Sequence, residues 1–131
     1  MPAAKITKST PILMVDAIEP SLPFWQERLG FERTTEVPDG DRLGFAILTN
    51  GTVELMYQTF AMLKKDSAAR ALRLRDDKSL LFVEVDDLEA IADALSGFEI
   101  SMQRRETFYG STEIGYCEPG GHFVTFAQFK R

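Results

Sequence analysis

The chain is written twice. Val15-Asp16-Ala17-Ile18-Glu19 recurs seventy positions later as Val85-Asp86-Asp87-Leu88-Glu89, and each copy ends an apolar run and opens a helix-like segment. Leu29-Gly30-Phe31-Glu32 closes the first of these segments and Ser96-Gly97-Phe98-Glu99 the second, while Leu43-Gly44-Phe45-Ala46 is matched by Ile114-Gly115-Tyr116-Cys117. A repeat of this length, with strands around one helix, predicts two stacked copies of one supersecondary unit. A functional site is expected where the copies face each other.

Residues 8–58 form the first unit. Residues 11–15 are a short apolar run bounded by polar residues and read as a buried strand. Ile18, Leu22, Trp25 and Leu29 follow at helical spacing, with Pro20 and Pro23 confining the helix start, Ser21 as its expected N-cap and Gly30 as its stop. Strands are expected over 31–37, 42–49 and 52–58, with Asn50-Gly51 as a tight-hairpin signal. The second unit, 79–131, repeats the order: strand 80–85, helix 87–95, then strands near 99–106, 112–117 and 122–128. Between the units, 59–78 reads as a partly helical linker, and Lys64, Lys65, Arg70, Arg73 and Arg75 give it a second reading as a lid over an anionic ligand. The fold class is α+β, a single domain over 1–131 made of two tandem βαβββ units.

A chain of 131 residues with 44% hydrophobic content is long enough to bury a core. Lys and Arg total 15 against 20 Asp and Glu, a net charge of −5, with no basic stripe, so nucleic acid is not an expected partner. The single Cys117 has no internal disulfide partner, and no leader or long apolar span signals secretion or a membrane. A cytoplasmic protein is expected.

The βαβββ units, the Pro23-Phe24-Trp25 to Leu29-Gly30-Phe31 stretch and Glu118-Pro119-Gly120-Gly121-His122 before the last strand resemble the vicinal oxygen chelate superfamily, which includes glyoxalase I, extradiol dioxygenases and bleomycin-resistance proteins. The resemblance implies that the units curl into a cup-shaped mixed sheet with helices on the outer face, and that paired units line one site, often completed across a homodimer. It further implies four ligand positions, which fall on Thr10, Glu54, Leu80 and Thr125. Of these only Glu54 binds a divalent cation well, so no metal and no cofactor is expected. His122, the one histidine, reads as a turn residue, with a general acid or base role left open.

Strand alternation divides the faces. With the four positions pointing into the cup, Ile12, Met14, Thr52, Met56, Phe82, Glu84, Phe123 and Ala127 point there too, while Leu13, Val15, Val53, Leu55, Leu81, Val83, Val85, Val124 and Phe126 form a uniformly apolar helix-side face. The expected ligand-binding set is Glu54, Thr10, Met14, Met56, Phe82, Phe123 and Thr125, with no catalytic residue assigned. Phe108-Tyr109-Gly110 reads as a hairpin, or as an aromatic loop over the cup mouth.

The leading reading is a glyoxalase/bleomycin resistance-like homodimer that binds a small organic ligand, such as a cationic antibiotic, without a metal. Against it stands a metal-dependent lyase, isomerase or dioxygenase of the same superfamily, recruiting Gln58 or His122. A dimeric scaffold with a collapsed cup is a third.

Overall fold

The computed structural model describes residues 4–130. Strands β1 (Ile12–Val15), β2 (Glu32–Asp39), β3 (Arg42–Asn50) and β4 (Val53–Thr59) make one sheet in the order β1-β4-β3-β2. Strands β5 (Leu80–Glu84), β6 (Ile100–Glu106), β7 (Ser111–Cys117) and β8 (Phe123–Phe129) make the second in the matching order β5-β8-β7-β6. In each, the first strand runs parallel to the last and the other pairings are antiparallel. A parallel neighbour needs a long crossover, and the helix and two strands of each unit supply it. The tandem βαβββ organisation is therefore present, as two separately hydrogen-bonded sheets.

Alternation along the strands sets the layers. Leu13 and Val15 of β1, Leu55 and Tyr57 of β4, and Val124 and Phe126 of β8 are all buried and belong to one cluster. Both sheets thus turn their helix-side faces toward a common core. Their other faces are open, with Ile12 47%, Leu80 71% and Phe82 51% exposed.

The helical segment of the first unit departs from the regular α-helix expected. It is a 3-10 turn, Glu19–Ser21, followed by a π-helical segment, Pro23–Arg28. Pro20 and Pro23 lack N–H groups and their rings obstruct regular hydrogen bonding to the preceding turn. Ser21 is not an N-cap: its hydroxyl is buried and has no hydrogen-bond partner among the described residues. What the wider winding achieves is packing, since Phe24 and Trp25 have no exposure. The Phe24 ring lies 6.4 Å from those of Tyr116 and Phe126 in the second sheet. Arg28 donates to the carbonyls of Ala94 and Ser96 at 3.1 Å, at the C-terminal end of the second unit's helix α3 (Leu88–Ala94), where a cation is favoured. Asp87 caps α3 at its other end, accepting from the Ala90 N–H.

A buried polar chain also ties the units together. Trp25 Nε1 donates to Tyr57 Oη at 2.8 Å, and Tyr57 Oη donates to Glu118 Oε2 at 3.0 Å. The other Glu118 oxygen accepts the His122 N–H at 2.9 Å. Gly120 is required beside this carboxylate, because a methyl there would meet Ser21 Oγ at 2.6 Å and Glu118 Oε1 at 2.7 Å. Burial pushes the Tyr57 hydroxyl well above its ordinary pKa, and the Glu118 charge adds to the rise, so Tyr57 stays a donor.

The linker is helical over most of its length. Helices α1 (Phe60–Asp66) and α2 (Ala68–Leu74) are capped by Thr59, which accepts from Met62 N at 3.1 Å, and by Ser67, which accepts from Arg70 N at 3.3 Å. Met62 packs against Gly44 of β3, where any side chain would collide with it.

Replacing Tyr57 by Phe keeps the ring but strands the Trp25 N–H and one Glu118 oxygen. Urea denaturation should show a loss of about 1–3 kcal/mol, the cost of unsatisfied buried groups, with native secondary structure retained. An unchanged midpoint would mean that the polar chain contributes nothing.

Candidate functional site

The open face of the first sheet is built on β1 and β4. Ile12 pairs with Met56 and Met14 with Gln58, so these side chains share the face on which Glu54 stands. Thr10, just before β1, donates to Glu54 Oε1 at 3.0 Å, and Lys8 Nζ lies 2.8 Å from the same oxygen. The Lys8 hydrogen bond, and then that from Thr10, hold the Glu54 carboxyl below the usual carboxylate range, so it is ionised at neutral pH. Thr10 and Glu54, far apart in the chain, are in direct contact. Lys8 was not foreseen: it precedes the first strand, where alternation gives no guide.

Next to this face, helices α1 and α2 roof a cavity of about 140 Å³. Ile12, Met14 and Gln58 line it from the sheet, Leu63, Arg70 and Leu74 from the helices, and His122 from the second unit. His122 is 1% exposed and accepts the Ser79 N–H at Nδ1, at 2.9 Å, which places the ring proton on Nε2 facing the Met14 carbonyl at 2.7 Å. Its imidazole thus braces β1 against the start of β5, beyond the turn role expected of it. Among the linker cations, Lys65 pairs with Asp39, Arg70 with Asp66 at 3.9 Å, and Arg75 with Asp16 at 3.5 Å while covering the Phe60 ring.

The second sheet carries Leu80, Phe82, Phe123 and Thr125 on its own open face, with Phe82 opposite Thr125 in register. Thr125 is half-buried, and Phe123 is 38% exposed. The sequence reading missed Glu113 on this face. Its cross-strand partners are Ala127 and Arg105, so it points the same way as Thr125, yet it is only 1% exposed. Ser111 Oγ donates to it at 2.8 Å, Tyr109 Oη donates to the same oxygen, and Arg105 reaches the other oxygen at 3.4 Å. Period two applied to β7 would have placed it. Its enclosure by Tyr109 had no sequence signal beyond the aromatic pair in the hairpin.

This geometry accompanies a family match. The model of the glyoxalase/bleomycin resistance protein/dioxygenase superfamily matches residues 7–126. The chain belongs to this superfamily. Among solved structures, a glyoxalase/bleomycin resistance protein/dioxygenase from Nocardioides is similar at 18% identity, with 98% of this chain and 86% of that one covered and a TM-score of 0.74. The bleomycin-binding protein of Streptomyces verticillus, solved with copper(II)-bleomycin, is 21% identical, with 98% of this chain and all 100% of that one covered and a TM-score of 0.65. The bleomycin resistance determinant of transposon Tn5 is 18% identical over 96% of this chain and 100% of that one, with a TM-score of 0.67. Identities at this level show the fold alone. A comparison with curated protein sequences finds no match.

Membership of the superfamily raises the question of a metal, and the donor set answers it. Thr10, Glu54, Leu80 and Thr125 offer one carboxylate, two hydroxyls and a hydrocarbon, and the one carboxylate already holds the Lys8 ammonium. These residues do not fit a catalytic divalent cation, which takes about three imidazole or carboxylate ligands. Among the described residues, no three His, Cys, Asp or Glu side chains cluster as a ligand set. No helix there is long and apolar enough to cross a membrane.

For Glu113, burial raises the pKa, and the hydrogen bonds from Tyr109, Ser111 and Arg105 outweigh it, so the carboxyl ends below its ordinary value. A depressed folded-state pKa stabilises the fold above the unfolded value, near 4.3, and that contribution is lost as pH falls through the folded value. Glu113→Gln should therefore be less stable than the native chain at pH 6, with the gap closing on acidification below about pH 4 in thermal melts. A gap that stays constant down to pH 2 would refute the ionised assignment.

Proposed function

We propose that this chain is a metal-free binding protein of the superfamily, which holds a small organic cation between open sheet faces with Glu54 as the polar anchor. The observation that carries the reading is the Glu54 carboxylate, ionised on a sheet face that also carries Ile12, Met14, Met56 and Gln58, and met among the described residues by Lys8 and Thr10. Methionine-lined faces adapt to irregular guests, and an ionised carboxylate selects for positive charge. The net charge of −5 favours the same class of guest, and bleomycin, bound by the Streptomyces verticillus protein, is the first compound to test.

Lys8 refines this reading. Its side chain is 62% exposed, and a solvent-exposed ion pair is held weakly, so a better-placed guest cation displaces it at little cost. Lys8 then acts as an occupant of the empty site. The exposed apolar residues on the open faces of both sheets, Ile12, Leu80 and Phe82 among them, further support a homodimer, proposed to be cytoplasmic, in which two chains turn these faces toward each other and enclose the ligand. A stable monomer in light scattering at micromolar concentration would contradict that assembly.

Calorimetry with metal-free bleomycin tests the anchor. Glu54→Gln keeps the shape and removes the charge, and affinity should fall about tenfold or more. Lys8→Ala should leave affinity unchanged or raise it by a few fold, because it removes the competing cation. Binding that survives Glu54→Gln unchanged would remove Glu54 from recognition.

A further inference from the structure

The linker hairpin has an outer side as well as the inner one that roofs the first sheet. Phe60 opens α1 and Arg75 follows α2, yet the Arg75 guanidinium lies 5.2 Å from the centre of the Phe60 ring, so the two helices double back on each other at Ser67. Leu63 and Leu74 line the smaller cavity over the sheet. Elsewhere the helices leave a second cavity of about 380 Å³, walled by Phe60 and Ala61 of α1 and by Ala68, Ala71 and Leu72 of α2. On α2 these positions are three and four apart, the spacing of one helix face. The alanines leave the room, and Leu72, 78% exposed, is a large apolar side chain that nothing among the described residues covers. A volume of this order suits a small molecule.

Charge selects which small molecule. Residues 59–78 carry six Lys and Arg against three Asp, in a chain whose net charge is −5, so the linker is a basic island on an acidic protein. Two of those cations, Lys64 and Arg75, line the groove itself. Lys64 stands about one turn beyond Phe60, on the same side of α1, and meets no carboxylate among the described residues, whereas its neighbour Lys65 is taken by Asp39. Arg75 stacks on Phe60 and shares Asp16 across 3.5 Å, an exposed pair that holds it weakly and leaves most of its N–H fork free. Among the described residues, no Asp or Glu lines the groove. An apolar trough with two cations and no carboxylate is complementary to an anion with an apolar body.

We propose that the outer groove between α1 and α2 is a second ligand site, for an anionic amphiphile: a monocarboxylate held by Lys64 and Arg75, with its apolar tail lying along Phe60, Ala71 and Leu72. Of the linker cations, these two alone take part, since Lys65 is held on Asp39 and Arg70 faces the inner cavity. The groove shares no lining residue with the cavity over Ile12 and Met14, and it asks for the opposite charge to Glu54. It stands whether or not Glu54 anchors a cation.

Calorimetry with decanoate, kept below its micelle concentration, tests this against acetate, which lacks the tail, and decyltrimethylammonium, which keeps the tail and reverses the charge. The native chain should bind decanoate saturably and each of the other two at least about tenfold more weakly. Lys64→Gln should weaken decanoate about threefold, and Arg75→Gln and Leu72→Gln about tenfold each, while Glu54→Gln leaves it unchanged. Lys64 and Leu72 are exposed, so their substitutions report even if Arg75→Gln, which also releases Asp16 and the Phe60 ring, loosens the linker. The site would be overturned by no saturable decanoate binding, or by equal affinity for decyltrimethylammonium, which would leave a groove without charge selection. Decanoate affinity unchanged by both Lys64→Gln and Leu72→Gln would place the acid elsewhere and overturn it too. So would binding of the chain to phosphatidylglycerol vesicles without binding of decanoate, which would make the basic linker a membrane contact.

Discussion

The buried Glu118 carboxylate is the constraint on which the molecule depends. Removing an ionisable oxygen pair from water is costly unless its lone pairs are met, and here they are met by Tyr57 from the first unit and by the His122 backbone of its own turn. Tyr57 in turn accepts from Trp25, and His122 spans to Met14 and Ser79. A single polar chain therefore fixes the first helix, the first strand of each unit and the last turn relative to one another. Apolar packing around Phe24 supplies the bulk attraction between the units, but packing alone does not define their register. Directional hydrogen bonds, useless if displaced by an ångström, do so.

With the relation of the units fixed from inside, the outer faces are free to diverge. Equivalent strands present Met14, Met56 and a Lys8-paired Glu54 on one sheet, and Phe82, Phe129 and an enclosed Glu113 on the other. The same topology thus yields a methionine-lined face with an ionised carboxylate and an aromatic one. The linker helices add a third difference, since α1 and α2 roof one end of the first face.

Much of this was legible in the chain. The Val-Asp and Gly-Phe-Glu repeats announced two βαβββ units, and period two separated Leu13, Val15, Leu55, Val124 and Phe126 from Ile12, Glu54 and Phe82 as the structure does. Three things were not legible, each for a physical reason. Two prolines in one short segment announced an unusual helix start but did not say that the winding would open to the π form, because that outcome is set by where Phe24 and Trp25 must reach. Lys8 meets Glu54 through a stretch without periodicity. The Tyr57–Glu118 contact joins residues sixty-one positions apart through side chains on different units, and no local pattern encodes such a pair.

The central claim, that ligand is held on the open face of the first sheet by Glu54, is tested most directly by methyl-labelled methionine spectra during titration with metal-free bleomycin. Of the four methionines among the described residues, Met14 and Met56 lie on that face, Met62 against Gly44 and Met102 on β6 opposite Gly115. The account predicts that the Met14 and Met56 methyls shift and saturate together, and that the shifts are lost in Glu54→Gln. Saturating shifts elsewhere with Met14 and Met56 unmoved would contradict it.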